Sequence, residues 1–122
     1  MKEKILIVDD DVVFADLYKE RLGLAGYEVD AESRSSKALE KIAKFKPDVV
    51  LLDLMMPEVS GQEILGKVKD NKSLEKTKVV ILTALAGNRD RDALTKKADG
   101  YIVKSEILPK DLVGVIEKIL KK

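Results

Sequence analysis

The sequence predicts an α/β domain, a doubly wound parallel sheet of five strands with five helices, on three observations. Short apolar runs recur five times along the chain. Three of them, Ile5–Val8, Val49–Leu52 and Val79–Leu82, are unbroken Val, Ile and Leu. That is the pattern of strands buried on both faces of a parallel sheet. Segments of helical periodicity separate the runs, and strand alternating with helix means βαβ units with right-handed crossovers.

Each element has its own signals. Ile5–Val8 leads into Asp9-Asp10-Asp11 and a helix whose apolar face is expected from Phe14, Leu17 and Leu24, with Gly26 as its stop. A weak second run, Glu28–Ala31, precedes a helix with Leu39, Ile42 and Ala43 inward. Pro47 introduces the third run, and Pro57 and Gly61 punctuate the loop beyond it. Ile64, Leu65 and Val68 mark the third helix. After the fourth run comes a polar, weakly patterned helix around Arg89–Lys97, then the short run Tyr101–Val103. Pro109 suits the first turn of the last helix, where Leu112, Val115, Ile116 and Ile119 step by i, i+3, i+4, i+7. No linker, low-complexity tract or repeat interrupts this order. A length of 122 residues falls within the usual span of one domain, about 100–200 residues, so residues 1–122 are expected to form one unit.

Composition narrows the function. Lys plus Arg is 23 and Asp plus Glu is 22, a formal charge of +1, which argues against a protein that coats nucleic acid. Hydrophobic residues reach 45%, enough to build a core despite 37% charged residues. With no Cys there is no disulfide, thiol nucleophile or thiolate metal site; with no His there is no imidazole base and no histidine zinc site. Chemistry must come from carboxylates, hydroxyls, lysine or a hard metal ion. No apolar run approaches the roughly 18 residues of a membrane span, and Met1-Lys2-Glu3-Lys4 with its short apolar sequel is no secretory signal. A cytoplasmic location is expected.

In an open parallel sheet, chemistry gathers beyond the carboxyl ends of the strands. Strand 1 ends in Asp9-Asp10-Asp11. One of these acids is accounted for as a helix N-cap, but three adjacent carboxylates repel one another, and a divalent cation relieves that cost. Strand 3 ends at Asp53, strand 4 at Thr83 and strand 5 at Lys104. Singly, these are a turn residue, a strand former and a surface lysine. Together they set carboxylates, a hydroxyl and an ammonium at the ends of four strands in one sheet.

That ordered set resembles a response-regulator receiver domain, along the whole chain from strand 1 to the last helix. The resemblance rests on Asp9-Asp10, on Asp53-Leu54-Met55-Met56-Pro57 with Gly61 soon after, on Thr83-Ala84, and on Asp99-Gly100-Tyr101 leading to Lys104. It implies the strand order 2-1-3-4-5. It implies that Asp53 accepts a phosphoryl group from a phosphohistidine on a histidine kinase or phosphotransfer protein. Mg²⁺ would bind Asp10, Asp53 and the Met55 backbone carbonyl, with Asp9 reaching it through water; all-oxygen ligation suits that ion. Thr83 would hydrogen-bond a phosphoryl oxygen and Lys104 would make a charge-assisted contact to another. Tyr101 would then enter space vacated by Thr83, shifting a surface of the fourth helix, fifth strand and fifth helix that a downstream protein reads. The implied protein is a switch rather than an enzyme, with at most slow self-dephosphorylation. It is a monomer or a weak phosphorylation-dependent dimer, without direct nucleic-acid or membrane contact.

Departures from the family pattern matter. Ser105 replaces the usual proline after the lysine, and a cis bond before a non-proline costs about 2.5–4 kcal/mol, so a trans bond and an altered loop are expected. Lys97 replaces a common glycine at the end of the fourth helix, which has the thinnest apolar face and is expected to be the most mobile. Met55 and Leu85 occupy positions that influence acyl-phosphate hydrolysis; both are apolar and orient water poorly, so hydrolysis is expected to be slow. Two rivals stand beside this reading. A haloacid-dehalogenase-like phosphatase would use Asp9 as nucleophile and Asp11 as general acid/base, but no later acidic pair supplies its metal. A pseudo-receiver would bind without phosphorylation, but the set Asp10, Asp53, Thr83 and Lys104 is intact.

Overall fold

A computed structural model describes residues 2–84 and 97–121. In chain order the elements are β1 (Lys4–Val8), α1 (Val12–Leu24), β2 (Glu28–Glu32), α2 (Ala38–Phe45), β3 (Val49–Asp53), α3 (Gly61–Asp70), β4 (Lys78–Thr83), β5 (Gly100–Val103) and α4 (Pro109–Leu120). Short 3-10 turns lie at Ser35–Lys37, Lys72–Leu74 and Lys104–Glu106. The strands form one parallel sheet in the order β2-β1-β3-β4-β5. Fold class and strand order agree with the sequence expectation. The polar helix expected around Arg89–Lys97, with its expected mobility, falls almost entirely on residues outside the described ones.

Alternation along the strands divides the core into two layers. Leu6, Val8, Val50, Leu52, Val79 and Ile81 face α2 and α3, meeting Ala38, Ile42, Ile64, Leu65 and Val68. Ile5, Ile7, Val49, Leu51, Val80 and Leu82 face α1 and α4, meeting Ala15, Tyr18, Leu22, Leu112, Ile116 and Ile119. Burial on both faces explains why the central strands read as continuous apolar runs. Strand β2, at the sheet edge, is only partly buried, which accounts for its weak signal.

Two helix faces differ from expectation. In α1 the buried residues are Ala15, Tyr18 and Leu22, whereas Leu17 and Leu24 are exposed and Phe14 is half-buried. The helix turns a small residue and an amphipathic aromatic inward, and the Tyr18 hydroxyl donates to the Ile107 carbonyl at 3.3 Å. In α2, Ala38 and Ile42 are buried while Ala43 faces out. Gly26 takes a positive φ of 102° after α1, as its role of stop requires.

Candidate functional site

Strand register assembles the site. Strands β1 and β3 pair Val8 with Leu52, so one further step sets Asp9 beside Asp53. Asp53 itself pairs with Leu82, one residue before Thr83, and Thr83 pairs with Val103, one residue before Lys104. All four residues therefore emerge at the carboxyl edge of three adjoining strand pairs, across the β1/β3 switch in strand order.

Side chains close the arrangement. Carboxylate oxygens of Asp9, Asp10 and Asp53 lie within 4.8 Å of one another. Asp9 is fully buried, Asp53 is 5% exposed and Asp10 is exposed, so the group opens to solvent on one side. Lys104 Nζ lies 2.5 Å from Asp9 Oδ2 and 3.7 Å from Asp53 Oδ2. Two backbone donors orient the acids: the Asp11 N–H donates to Asp9 Oδ1 at 2.9 Å, and the Met55 N–H donates to Asp53 Oδ1 at 3.0 Å. Asp11 is the cap of α1, its Oδ1 accepting the Phe14 N–H at 3.1 Å, and it stands outside the acidic group. The three acids thus divide as one cap and two members of a cluster.

Burial pushes the Asp53 carboxyl above its ordinary value; the Met55 N–H opposes the rise, the Asp9 charge reinforces it, and Lys104 opposes it again. The donor set suits a hard divalent cation. It is all oxygen, it is partly open, and the buried Asp9 Oδ2 has no directed hydrogen bond, only the ammonium beside it.

Thr83 is buried at the end of β4, and Tyr101 is half-buried on β5, packed toward the α2–α3 layer. Met55 is 64% exposed beside Asp53. Leu85 lies outside the described residues. No peptide among the described residues is cis, so the Lys104–Ser105 bond is trans, as Ser105 implies, and Lys104 opens a 3-10 turn.

Sequence reading missed Ser35. It is 3% exposed, its hydroxyl donates to the Pro57 carbonyl, and it accepts the Val59 N–H at 2.9 Å. It thereby ties the β2–α2 connection to the loop that follows Asp53. That loop holds Glu58 at a positive φ of 77°. A lone serine in a polar stretch gives no signal of such a contact. Phe14, expected on the apolar face of α1, also turns its ring toward the Lys104 ammonium.

A sheet with this order and an acidic cluster at its switch point defines a doubly wound α/β domain with a candidate cation site, and comparison supplies the family. The family model of the response regulator receiver domain matches residues 5–117, and the chain belongs to that family. It is 35% identical over 122 residues to a probable transcriptional regulator, ycf27, of Guillardia theta, covering 99% of this chain and 46% of that protein. It is 34% identical to the transcriptional regulatory protein TrcR of Mycobacterium tuberculosis, covering 98% of this chain and 46% of that one. The chain therefore spans about half the length of the curated relatives it matches.

Solved structures agree. A CheY-like receiver domain protein from Methanospirillum hungatei superposes with a TM-score of 0.88 at 31% identity, covering 99% of this chain and 95% of that one. The response regulator TrrA of Thermotoga maritima, solved in complex with Mg(2+)-BeF, gives 0.83 at 35% identity, covering 96% and 98%. That family is a signalling domain of two-component systems. Among the described residues, no helix is long and apolar enough to cross a membrane.

Proposed function

We propose that this domain is a phosphorylation switch in which Asp53 is the phosphoacceptor. The observation that carries the reading is the gathering of Asp9, Asp10 and Asp53 within 4.8 Å, with the Lys104 ammonium 3.7 Å from Asp53. An Asp53 carboxylate oxygen attacks the phosphorus of a phosphohistidine on a partner kinase or phosphotransfer protein. The O–P bond forms, the P–N bond breaks, and the imidazole leaves with the electron pair and takes up a proton. The absence of His in this chain fits a division of labour in which the partner supplies the imidazole.

Asp10, Asp53 and the Met55 carbonyl would hold Mg²⁺, with Asp9 acting through water. When bound, that ion neutralises charge between the entering phosphoryl group and the carboxylates. Lys104 contacts one phosphoryl oxygen and Thr83 another. Movement of Thr83 toward the phosphoryl group makes room for Tyr101, and the population shifts toward a state whose β5–α4 surface a downstream protein recognises. Names of the relatives suggest transcription as the output, through a part of those proteins that this chain does not match. The exposed, apolar Met55 is poor at orienting water for attack, so slow decay of the acyl phosphate is expected. Asp11, spent on the α1 cap, speaks against a phosphatase that would use it as an acid.

Incubation with acetyl phosphate and Mg²⁺, followed by mass-spectrometric mapping, tests the reading. The phosphoryl group is expected on Asp53 and is abolished in Asp53→Asn. Labelling on Asp9, or none in the wild type, would overturn it.

A further inference from the structure

The Lys104 ammonium has a third neighbour besides its two carboxylates. Its Nζ lies 4.4 Å from the centroid of the Phe14 ring, inside the roughly 6 Å range of cation–π attraction. Phe14 stands in the first turn of α1, where Asp11 caps its N–H. Its ring leans on Tyr18, with centroids 4.1 Å apart and planes tilted by 39°. Tyr18 is 3% exposed, and its hydroxyl donates to the Ile107 carbonyl at 3.3 Å, three residues beyond Lys104. Helix α1 thus grips the lysine segment twice, at the ammonium and at its backbone.

A lysine on a flexible four-carbon stem has many rotamers, so holding it in one place needs contacts beyond charge. Asp9 and Asp53 supply charge, but a strong carboxylate pair competes with the phosphoryl oxygen that Lys104 must meet. An aromatic face attracts the ammonium without accepting its hydrogen bonds in that way. We propose that Phe14, braced by Tyr18, is a positioning residue for Lys104. Its ring keeps the ammonium beside Asp9 and within 3.7 Å of Asp53, while a donor remains available to a phosphoryl oxygen. The inference rests on Asp53 being the phosphoacceptor.

The test compares wild type, Phe14→Leu, Phe14→Met, Phe14→Tyr, Lys104→Met and the double variant Phe14→Leu/Lys104→Met. The rate of Asp53 phosphorylation by acetyl phosphate is measured at saturating Mg²⁺, together with the Mg²⁺ midpoint. Phe14→Leu and Phe14→Met are expected to slow phosphorylation by about three- to tenfold, the range a partly desolvated cation–π contact supports. The Mg²⁺ midpoint stays put and Phe14→Tyr restores the rate. In the Lys104→Met background, Phe14→Leu adds no further slowing, because it acts through the lysine.

A spectroscopic readout is independent of activity. The Lys104 ε-methylene protons resonate upfield in the wild type through the ring current, return to ordinary values in Phe14→Leu, and stay upfield in Phe14→Tyr. Wild-type rates in Phe14→Leu, equal slowing with and without Lys104, or unshifted ε protons in the wild type overturn the proposal. Failure of the wild type to take a phosphoryl group on Asp53 instead overturns the reading beneath it, and the ε-proton shift still judges the ring–ammonium contact.

Discussion

Lys104 Nζ lies closer to Asp9 than to Asp53, at 2.5 Å against 3.7 Å. The ammonium is therefore seated on the buried carboxylate and only near the candidate phosphoacceptor. Asp9 is fully buried, and its remaining oxygen is held by the Asp11 N–H. Removing the lysine leaves a buried carboxylate with no cation, and breaking a buried pair costs about 3–5 kcal/mol. The Lys104 side chain is 15% exposed, so the lower end applies. Lys104→Met is expected to lose about 3 kcal/mol in urea unfolding with chelator present. Saturating Mg²⁺ should recover much of that loss by neutralising the same carboxylates. An equal loss with and without Mg²⁺ would separate the lysine from the acidic cluster.

Asp53 gives a pH dependence of definite sign. Its carboxyl is raised above 3.8 in the folded chain, first by burial and then by the Asp9 charge, against the opposing Met55 N–H and Lys104. Below the unfolded value the group is protonated in both states and carries no penalty. As pH rises through the window from there to the raised folded value, the folded state loses stability relative to the unfolded one. Above the raised folded value the penalty is complete. Without divalent metal, Asp53→Asn is therefore expected to melt higher than wild type at pH 7, and the gap should close below pH 3.8. A gain of about 1 kcal/mol corresponds to a few degrees in Tm for a domain of this size. Thermal scans across pH, with and without Mg²⁺, check this.

Ser35 links loops that share no strand. Its hydroxyl satisfies the Pro57 carbonyl and the Val59 N–H at once, at a site 3% exposed. Ser35→Ala removes both bonds, but Pro57 is exposed and the Val59 N–H keeps a bond to the Pro57 carbonyl at 3.1 Å, so the cost is that of the hydrogen bonds lost, about 0.5–1.5 kcal/mol. The variant is expected to unfold at lower denaturant by that amount, and Val59 amide exchange should accelerate more than that of β3. Unchanged exchange at Val59 would show that the loop after Asp53 holds its shape without the serine.

Legibility in the sequence followed the physics of each signal. Continuous apolar runs marked β1, β3 and β4 because their residues are buried on both faces, as Ile5–Val8 and Val49–Leu52 are. Edge strand β2 carries Glu28, Asp30 and Glu32, and so read only weakly. Site acids were legible because strand ends in a parallel sheet meet at one edge, which is a matter of topology. Contacts between distant segments were not. Leu17 and Leu24 look like core by residue type, yet α1 buries Ala15 and Tyr18 instead, because the Tyr18 hydroxyl finds the Ile107 carbonyl across a separation of 89 residues. Ser35 and Phe14 escaped for the same reason: their partners lie in other loops and elements.

Gly61 tests how tightly the helix after the site is packed against it. A Cβ at Gly61 would lie 2.7 Å from the Asp53 carbonyl oxygen and 2.7 Å from Leu54 Cα, both backbone atoms that cannot rotate away. Relief requires α3 to move away from the β3 end, or Asp53 and Leu54 to shift from their pairing with Leu82 of β4. Overpacking of this kind costs about 1–3 kcal/mol. Gly66, on the same helix, would meet nothing within 4 Å, so alanine there keeps the site and strengthens the helix by up to about 1 kcal/mol. Gly61→Ala is therefore expected to lower Tm and slow acetyl-phosphate labelling of Asp53, while Gly66→Ala raises Tm and leaves labelling unchanged. Equal labelling in the two variants would mean that the α3 approach constrains stability but leaves the geometry of Asp53 untouched.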